Sequence, residues 1–292
     1  MLIIRLFSNF CTSEEATRAF VQSDALITSS RLNTIYRFTT GDDYTHVILI
    51  NTAMPSLPSS LPKHRVIGTS AEPPYFLGIT SQWIDYIKRT VSVYYIGSAQ
   101  GLPSPFTESF GALPWHCPIP VAIPEKVNQM SIMVSFKKDA PGHRYRHELV
   151  RAILSEPTLP IDIYGNGCAE YANCGDPRVK GSFEHNELYA SYAFHICIEN
   201  FSLPGYFSEK ISNALLYGCT PIYFGCPQIN AYFPDQVIQL SGNVQNDMDL
   251  LRKICQQPEN YRKTIDCDQV RHVISIERLI DQLLLNETKV NE

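Results

Sequence analysis

A serine, a glutamate and a lysine that open a helix just after a strand are the groups in this chain best suited to chemistry. Ser208, Glu209 and Lys210 follow the apolar run Phe194 to Ile198 and a loop of Ser, Pro and Gly. The run reads as a buried strand, Glu199 and Asn200 open the loop, and Ser208 is a good N-cap. A helix N-terminus offers free N–H groups and partial positive charge, which suits a phosphate. Glu209 complements that dipole and Lys210 opposes it. A lysine so placed makes better sense facing an anion; the plain alternative is a pair of solvated charges in a first helical turn. Arg146 is a second phosphate candidate, at the start of a helix expected after the strand Met130 to Phe136, where its guanidinium can pair bidentately. Arg144, two residues earlier, competes for that role.

The elements that must position these groups follow from the pattern. Ile211, Ala214 and Leu215 share a helix face, Gly218 stops the helix, and Pro221 to Phe224 is a second strand closed by Gly225. This is a β–loop–α–β unit of the kind that builds parallel sheets, whose ligands bind at the carboxyl ends of the strands. The first half of the chain alternates in the same way. Strands are expected at Leu2 to Phe7, Thr34 to Phe38, His46 to Ile50, Arg65 to Gly68 and Val91 to Ile96, with helices at Ser13 to Val21 and Ser81 to Arg89. Gly97 to Pro124 holds six prolines and no periodicity, and reads as linker and surface loops. Beyond it come the strand Met130 to Phe136, a helix Arg144 to Leu154, a strand Ile161 to Tyr164, a helix near Ser182 to Ala190, and helices Asp247 to Gln256 and Val270 to Leu285. The expectation is α/β, with domains at residues 1–125 and 126–268 and a final helical segment, 269–292, returning to the first domain.

The segments CIEN at 197–200, YFSEKI at 206–211, ALLYG at 214–218 and TPIYFGCP at 220–227 together resemble the donor-binding motif of the α-1,3/1,4-fucosyltransferases, glycosyltransferase family 10, most of all its short bacterial members. Asp162, Tyr164 and Gly165 match a D-x-Y-G that closes an earlier unit of that family. The resemblance implies a GT-B fold, two Rossmann-like domains with parallel sheets facing a cleft. The first domain would bind an acceptor glycan and the second a nucleotide sugar. It implies inverting transfer of L-fucose from GDP-fucose to a sugar hydroxyl. Lys210 and Arg146 would stabilise the diphosphate, and Glu209 would contact sugar or ribose hydroxyls. Glu199 and Asn200 would shape the loop beneath the donor; for Glu199 a purely structural role is the alternative. Ser208 caps the helix, and Tyr206 either stacks on the guanine or ribose or packs on the helix start. Glu72, in Ser70-Ala71-Glu72-Pro73-Pro74, sits where the family carries a Glu-Ser-Pro-like segment whose glutamate serves as general base. Here Pro73 replaces the serine, and the alternative is an exposed loop glutamate.

Composition bounds the remainder. A formal net charge of −5 over 292 residues, with no basic run, argues against a nucleic-acid surface. Nine dispersed cysteines without a CxxC suggest a reducing compartment, with Cys197, Cys219 and Cys226 as small core residues. Cys168 and Cys174 could pair or bind zinc, but no histidine clusters with them. No metal or other cofactor is expected, and the partners expected are a nucleotide-sugar donor and an oligosaccharide acceptor. MLIIRLFSNF is too short and too lightly apolar for a signal peptide or span, so a soluble, cytoplasmic protein is expected. Two rival readings stand beside this one: the same fold using another donor such as UDP-xylose, and a non-catalytic glycan- or nucleotide-binding protein.

Overall fold

The structure is a computed structural model that describes residues 1–23, 31–113, 116–184 and 186–291. Pro114 and Trp115 of the proline-rich stretch, and His185 of the expected 182–190 helix, lie outside the described residues. The chain divides into two compact units. The first holds Met1–His116, Leu203–Tyr206 and Arg271–Glu292; the second holds Cys117–Ser202 and Phe207–Val270.

The first unit contains β1 (Leu2–Ser8), α1 (Ser13–Ser23), β2 (Tyr36–Phe38), β3 (His46–Ile50), β4 (Val66–Thr69), α2 (Pro74–Leu77), α3 (Ser81–Thr90), β5 (Val93–Ile96) and β6 (Phe106–Glu108). Its described strands pair in parallel, in the order β2-β1-β3-β4-β5-β6. All five residues of β3 are buried, because helices cover both faces of the sheet. Trp83 and Ile87 of α3 pack on one face with Val47, Leu49 and Tyr94. Phe20 of α1 packs on the other with Ile4, Leu6 and Ile48. Gly68 in β4 leaves room for the Tyr94 ring, which a Cβ there would meet at 2.1 Å.

The proline-rich stretch is not all linker. It contributes β6 to the sheet, and Phe110, Ala112 and Leu113 are buried. A strand of three residues is too short to show a period.

The second unit contains β7 (Asn128–Met133), α4 (Pro141–Leu154), β8 (Ile161–Tyr164), β9 (Val179–Gly181), α5 (Glu187–Ala190), β10 (Tyr192–Ile198), α6 (Glu209–Leu216), β11 (Thr220–Phe224), α7 (Ile229–Tyr232), β12 (Ile238–Gln239) and α8 (Val244–Gln256). Its described strands are again parallel, in the order β12-β11-β10-β7-β8-β9. β10 is central and shows the two-residue period. Phe194, Ile196 and Ile198 join the core beneath α4 and α8, with Leu149, Ile153, Met248 and Leu251. His195 and Cys197 therefore point to the other face, where α6 packs on β10 and β11.

α9 (Cys267–Ile274) and α10 (Glu277–Asn291) replace the single helix expected from Val270 to Leu285. The break is local: the Ser275 hydroxyl accepts the Glu277 N–H at 3.0 Å, an N-cap set inside an unbroken apolar pattern. Ile276, Leu279, Ile280 and Leu283 then enter the core of the first unit beside β1 and β3. No described helix is long and apolar enough to cross a membrane. All nine cysteines are free thiols; Cys197, Cys219 and Cys226 are buried.

Candidate active site

Glu199 follows β10 directly, so the strand's alternation carries its side chain to the face covered by α6. The residue is fully buried. Its backbone N–H donates to the Phe224 carbonyl at 2.8 Å, extending the β10–β11 ladder by one residue. Burying a carboxylate there requires partners, and the start of α6 supplies them. The Ser208 backbone N–H donates to Oε1 at 2.8 Å and the Ser208 hydroxyl to Oε2 at 2.7 Å. Ser208 is itself the N-cap of α6, its hydroxyl accepting from the Lys210 N–H at 3.5 Å. One carboxylate thus fixes both the loop end and the helix start.

Lys210 completes the cluster. Its side chain is 14% exposed, and Nζ lies 2.9 Å from Ser208 Oγ, 3.2 Å from Glu209 Oε1 and 3.6 Å from Glu199 Oε2. Burial is the largest influence on Lys210 and favours the neutral amine, but the two carboxylates outweigh it and raise the pKa above the ordinary value. Burial likewise works against ionisation of Glu209; the Lys210 ammonium and local hydrogen bonds outweigh it and lower that pKa. Both groups are therefore charged at neutral pH. The stabilisation each contributes is complete between the ordinary carboxylate pKa of about 4.3 and the ordinary lysine pKa of about 10.4. The Glu209 side chain is 43% exposed, so it is the carboxylate able to give way to an incoming anion.

Glycines allow this crowding. A Cβ on Gly225 would lie 2.6 Å from Glu199 Cγ and 2.2 Å from the Tyr223 hydroxyl. A Cβ on Gly142 would lie 1.8 Å from the Glu199 carbonyl oxygen. Gly142, in the first turn of α4, donates its N–H to the Asn200 carbonyl at 3.0 Å, so α4 begins hard against the carboxyl end of β10.

That contact places the arginines. α4 starts at Pro141, not at Arg144, because Pro141 takes the first helical position. Arg146 therefore lies in the second turn, a correction to the helix-start position read from the sequence. It is 3% exposed and donates to the Ile198 carbonyl at the end of β10. Arg144 donates instead to the carbonyls of Lys138 and Asp139, at 3.2 and 3.0 Å, on the surface. Of the two, Arg146 is the one brought to the Glu199–Lys210 cluster, whose ammonium its charge opposes.

His143, which the sequence reading passed over, is also buried here. Its ring hydrogen-bonds the Asn200 side chain, lies 3.1 Å from Asp139 and accepts the Ala140 N–H at 3.2 Å. Burial is the main cause holding its pKa below the ordinary value, followed by Arg146. The signal was available as Gly142-His143 three residues before Arg146, but only the start of α4 at Pro141 gives that spacing meaning.

The remaining candidates lie in the first unit. Tyr206 belongs to it with Leu203 to Gly205, and is 5% exposed against Gly97, whose Cβ would meet Tyr206 Cβ at 2.6 Å. Glu72 is exposed in the loop after β4. That loop is held firmly: the Ser70 N–H donates to the Tyr95 carbonyl at 2.9 Å and the Ala71 N–H to Asn51 Oδ1 at 2.9 Å. Cys168 is buried with its thiol toward the Ile163 carbonyl at 3.3 Å, while Cys174 is exposed; they form no disulfide. Among the described residues, no group of three His, Cys, Asp or Glu side chains could hold a metal.

Two cavities flank the Lys210 cluster along the sheet of the second unit. One, of about 400 Å³, lies beyond the end of β8, lined by Gly165, Asn166, Ala169 and Lys180. The other, of about 250 Å³, lies beyond β11 and β12, lined by Ser202, Gly225, Gln239 and Ser241.

A family model described as glycosyltransferase family 10 (fucosyltransferase) C-term matches residues 123–273, just over half of the chain. The alpha-(1,3)-fucosyltransferase B of Drosophila melanogaster is 32% identical over 111 residues, covering 35% of this chain and 24% of that protein. The putative fucosyltransferase R654 of Acanthamoeba polyphaga mimivirus is 25% identical over 152 residues, covering 46% and 25%. The chain thus spans about a quarter of the length of these curated relatives. Among solved structures, an alpha1,3-fucosyltransferase with GDP matches at a TM-score of 0.57 and 14% identity over 98% of this chain and 89% of that one. Its complex with GDP-fucose matches at 0.54 and 13%, over 98% and 90%. At such identity the likeness speaks for the fold: two parallel-sheet α/β units of the GT-B type. The family match runs through β7, α4, β10, α6 and β11, the elements that build the Glu199–Lys210 cluster, and the chain belongs to glycosyltransferase family 10.

Proposed function

We propose that this chain moves L-fucose from GDP-fucose to a hydroxyl of an acceptor glycan, with inversion, in one displacement. The acceptor oxygen bonds to the sugar's anomeric carbon as the bond from that carbon to the diphosphate breaks, and GDP leaves. The observation that carries the reading is Lys210, a charged and nearly buried ammonium at a helix N-terminus beside the central strand's carboxyl end. Positive charge held in a desolvated place is what a departing diphosphate needs as its negative charge grows. Arg146 adds to it from α4, and the cluster's own cations supply the charge without calling on a metal.

Glu209 gives up its hold on Lys210 to the diphosphate and turns to sugar or ribose hydroxyls. Glu199, with no exposed surface, acts on Ser208 and Lys210 from behind and does not touch the donor. The cavity beyond β8 lies within the size range of small-molecule sites and receives the nucleoside. Glu72 takes the acceptor proton, which requires it within about 3 Å of that hydroxyl; the resemblance supports this role. The first unit thus serves the acceptor and the second the donor.

The test is a donor panel. The protein is given GDP-fucose, GDP-mannose and UDP-xylose with a mixed glycan pool, and nucleotide release is measured. Release of GDP from GDP-fucose alone supports the reading. Release of UDP would keep the fold and phosphate site and replace the sugar. Binding without release across the pool would point to a non-catalytic carbohydrate or nucleotide binder.

A further inference from the structure

The residues that lead into β4 and those that end α3 are strongly basic. Lys63, His64 and Arg65 form a turn of 3-10 helix before β4, and Lys88 and Arg89 stand in the last turn of α3, before β5. β4 and β5 are neighbours in the sheet. Both groups therefore stand at its amino-terminal edge, away from the strand ends where parallel sheets take their ligands. Part of this charge is matched. Glu287 of α10 lies 2.7 Å from Arg65 Nε and 3.2 Å from His64 Nε2. Lys63, Lys88 and Arg89 have no carboxylate partner among the described residues, and Asp85, one turn before Arg89, pairs with none of them. In a chain of net charge −5, three unmatched cations in one place make a local field that favours an anion.

The segment 55–61 and the last turn of α3 border a cavity of about 370 Å³, within the size range of small-molecule sites. Lys63 and Arg89 line it together with the hydroxyl-bearing Ser56, Ser59 and Thr90. Leu57 and Leu61 line it too, and both pack against the core of Val47, Leu49 and Trp83. The lining thus joins cations and hydroxyls to an apolar patch. Its frame is tied down. The Tyr86 hydroxyl donates to the Pro55 carbonyl at 2.8 Å, the Leu61 N–H to the Pro58 carbonyl at 3.0 Å and Lys63 Nζ to the Lys88 carbonyl at 2.7 Å. Pro55, Pro58 and Pro62 fix φ along the segment, so it loses little freedom on binding. Free carbonyls at a helix C-terminus would repel an anion. Here Lys63 takes the Lys88 carbonyl, and the Val91 N–H takes that of Ile87 at 2.9 Å.

We infer that this cavity binds a phosphate monoester whose organic part has an apolar face. The planar fork of Arg89 suits an oxyanion held by two parallel N–H bonds. Lys63 has two ammonium protons beyond the one given to Lys88. With the Ser and Thr hydroxyls, these are more donors than the two oxygens of a carboxylate use, and they match the three of a phosphate. Leu57 and Leu61 take the apolar face. A neutral sugar would leave both cations unused. The site belongs to the first unit alone and stands whichever donor the second unit takes. Lys63 and Arg89 are exposed, so binding weakens as ionic strength rises.

The phosphate can come from a free metabolite or from a lipid headgroup, and the test has an arm for each. Phenyl phosphate is titrated calorimetrically into the full chain and into K63M/R89M. Both proteins are also sedimented with phosphatidylcholine vesicles, with and without phosphatidic acid. Phenyl phosphate is expected to bind the wild type about tenfold or more tightly than the double variant, and benzyl alcohol to bind neither. Wild-type protein labelled with 15N-arginine gives a reading that does not depend on the variant's folding. Its Arg89 Nε signal, assigned by its absence from R89K, is expected to move on adding the phosphate probe. Sedimentation that requires phosphatidic acid and is lost in the double variant identifies a headgroup as the source. Binding of phenyl phosphate without such sedimentation identifies a free metabolite. Equal binding of every probe to both proteins, or an Arg89 signal that moves with neither phenyl phosphate nor phosphatidic acid, overturns the site.

Discussion

Neutralising the buried pair Glu199–Lys210 one side at a time is expected to cost far more than neutralising both. Lys210→Met keeps the side-chain length and removes the charge. It leaves the Glu199 carboxylate fully buried, with its Ser208 hydrogen bonds but without the ammonium at 3.6 Å. Stranding a buried charge costs about 3 kcal/mol. Glu199→Gln is milder, about 2 kcal/mol, because Lys210 keeps Glu209 at 3.2 Å while an amide can accept only one of the two Ser208 bonds. The double variant strands no charge and is expected to lose only about 2 kcal/mol. The coupling energy is then about 3 kcal/mol, at the upper end for residues in contact. Urea denaturation of the four proteins measures it. On a thermal scale, Lys210→Met should melt about 6–12 °C below wild type for a unit of this size. If the double variant loses the sum of the single losses, about 5 kcal/mol, the two groups are not coupled and the account of the cluster is wrong.

Further expectations follow from other contacts. Gly142→Ala puts a methyl 1.8 Å from the Glu199 carbonyl oxygen, where only backbone can yield; a loss of about 2–3 kcal/mol by denaturation is expected, and a loss under about 0.5 kcal/mol would show that the α4–β10 contact has slack. Burial pushes the His195 pKa down to about 3, so the folded protein keeps this ring neutral while the unfolded chain protonates it below about pH 6.5. Stability therefore falls as pH drops, by about 2 kcal/mol from this residue at pH 5. His195→Gln should melt with less difference between pH 8 and pH 5 than wild type, and an equal difference would count against the argument. Glu72→Gln, at an exposed position, should leave stability within about 0.5 kcal/mol and GDP affinity unaltered, yet lower turnover about a hundredfold or more; wild-type turnover would remove Glu72 as the base.

The elements around the cluster were legible because each carries both a period and a punctuation mark. β10 and β11 are continuous apolar runs, Ser208 caps α6, and Gly218 and Gly225 close what precedes them. Their pairing is the register Phe194 to Thr220 through Ile198 to Phe224. What was hidden depends on partners distant in sequence. The start of α4 was misread because Pro141 and Gly142 look like a loop until Gly142 is seen against Asn200. Tyr206 reads as the residue before a helix, yet its short segment packs with residues about a hundred positions earlier, through Ser98 and Gly97. The split between α9 and α10 turns on one serine hydroxyl inside an apolar pattern that continues across it.

The role of Glu199 shows the same limit within the site. A glutamate after a strand reads equally as a ligand contact or as a loop clamp. The pattern does not foretell what the structure shows, both of its oxygens on Ser208 and none of its surface exposed.

The central claim is that a guanosine diphosphate sugar binds on the cationic start of α6, and thermal shift on two proteins tests it most directly. The wild-type chain and the discharged E199Q/K210M double variant are titrated with GDP-fucose, GDP and UDP. A ligand bound only by the folded state raises the melting temperature once its concentration passes Kd, by about 2.7 kcal/mol of stabilisation at a hundredfold excess. The account predicts that GDP-fucose and GDP stabilise the wild type, that UDP does not, and that the double variant responds to none of them. Equal stabilisation of both proteins, or stabilisation by UDP alone, would contradict it.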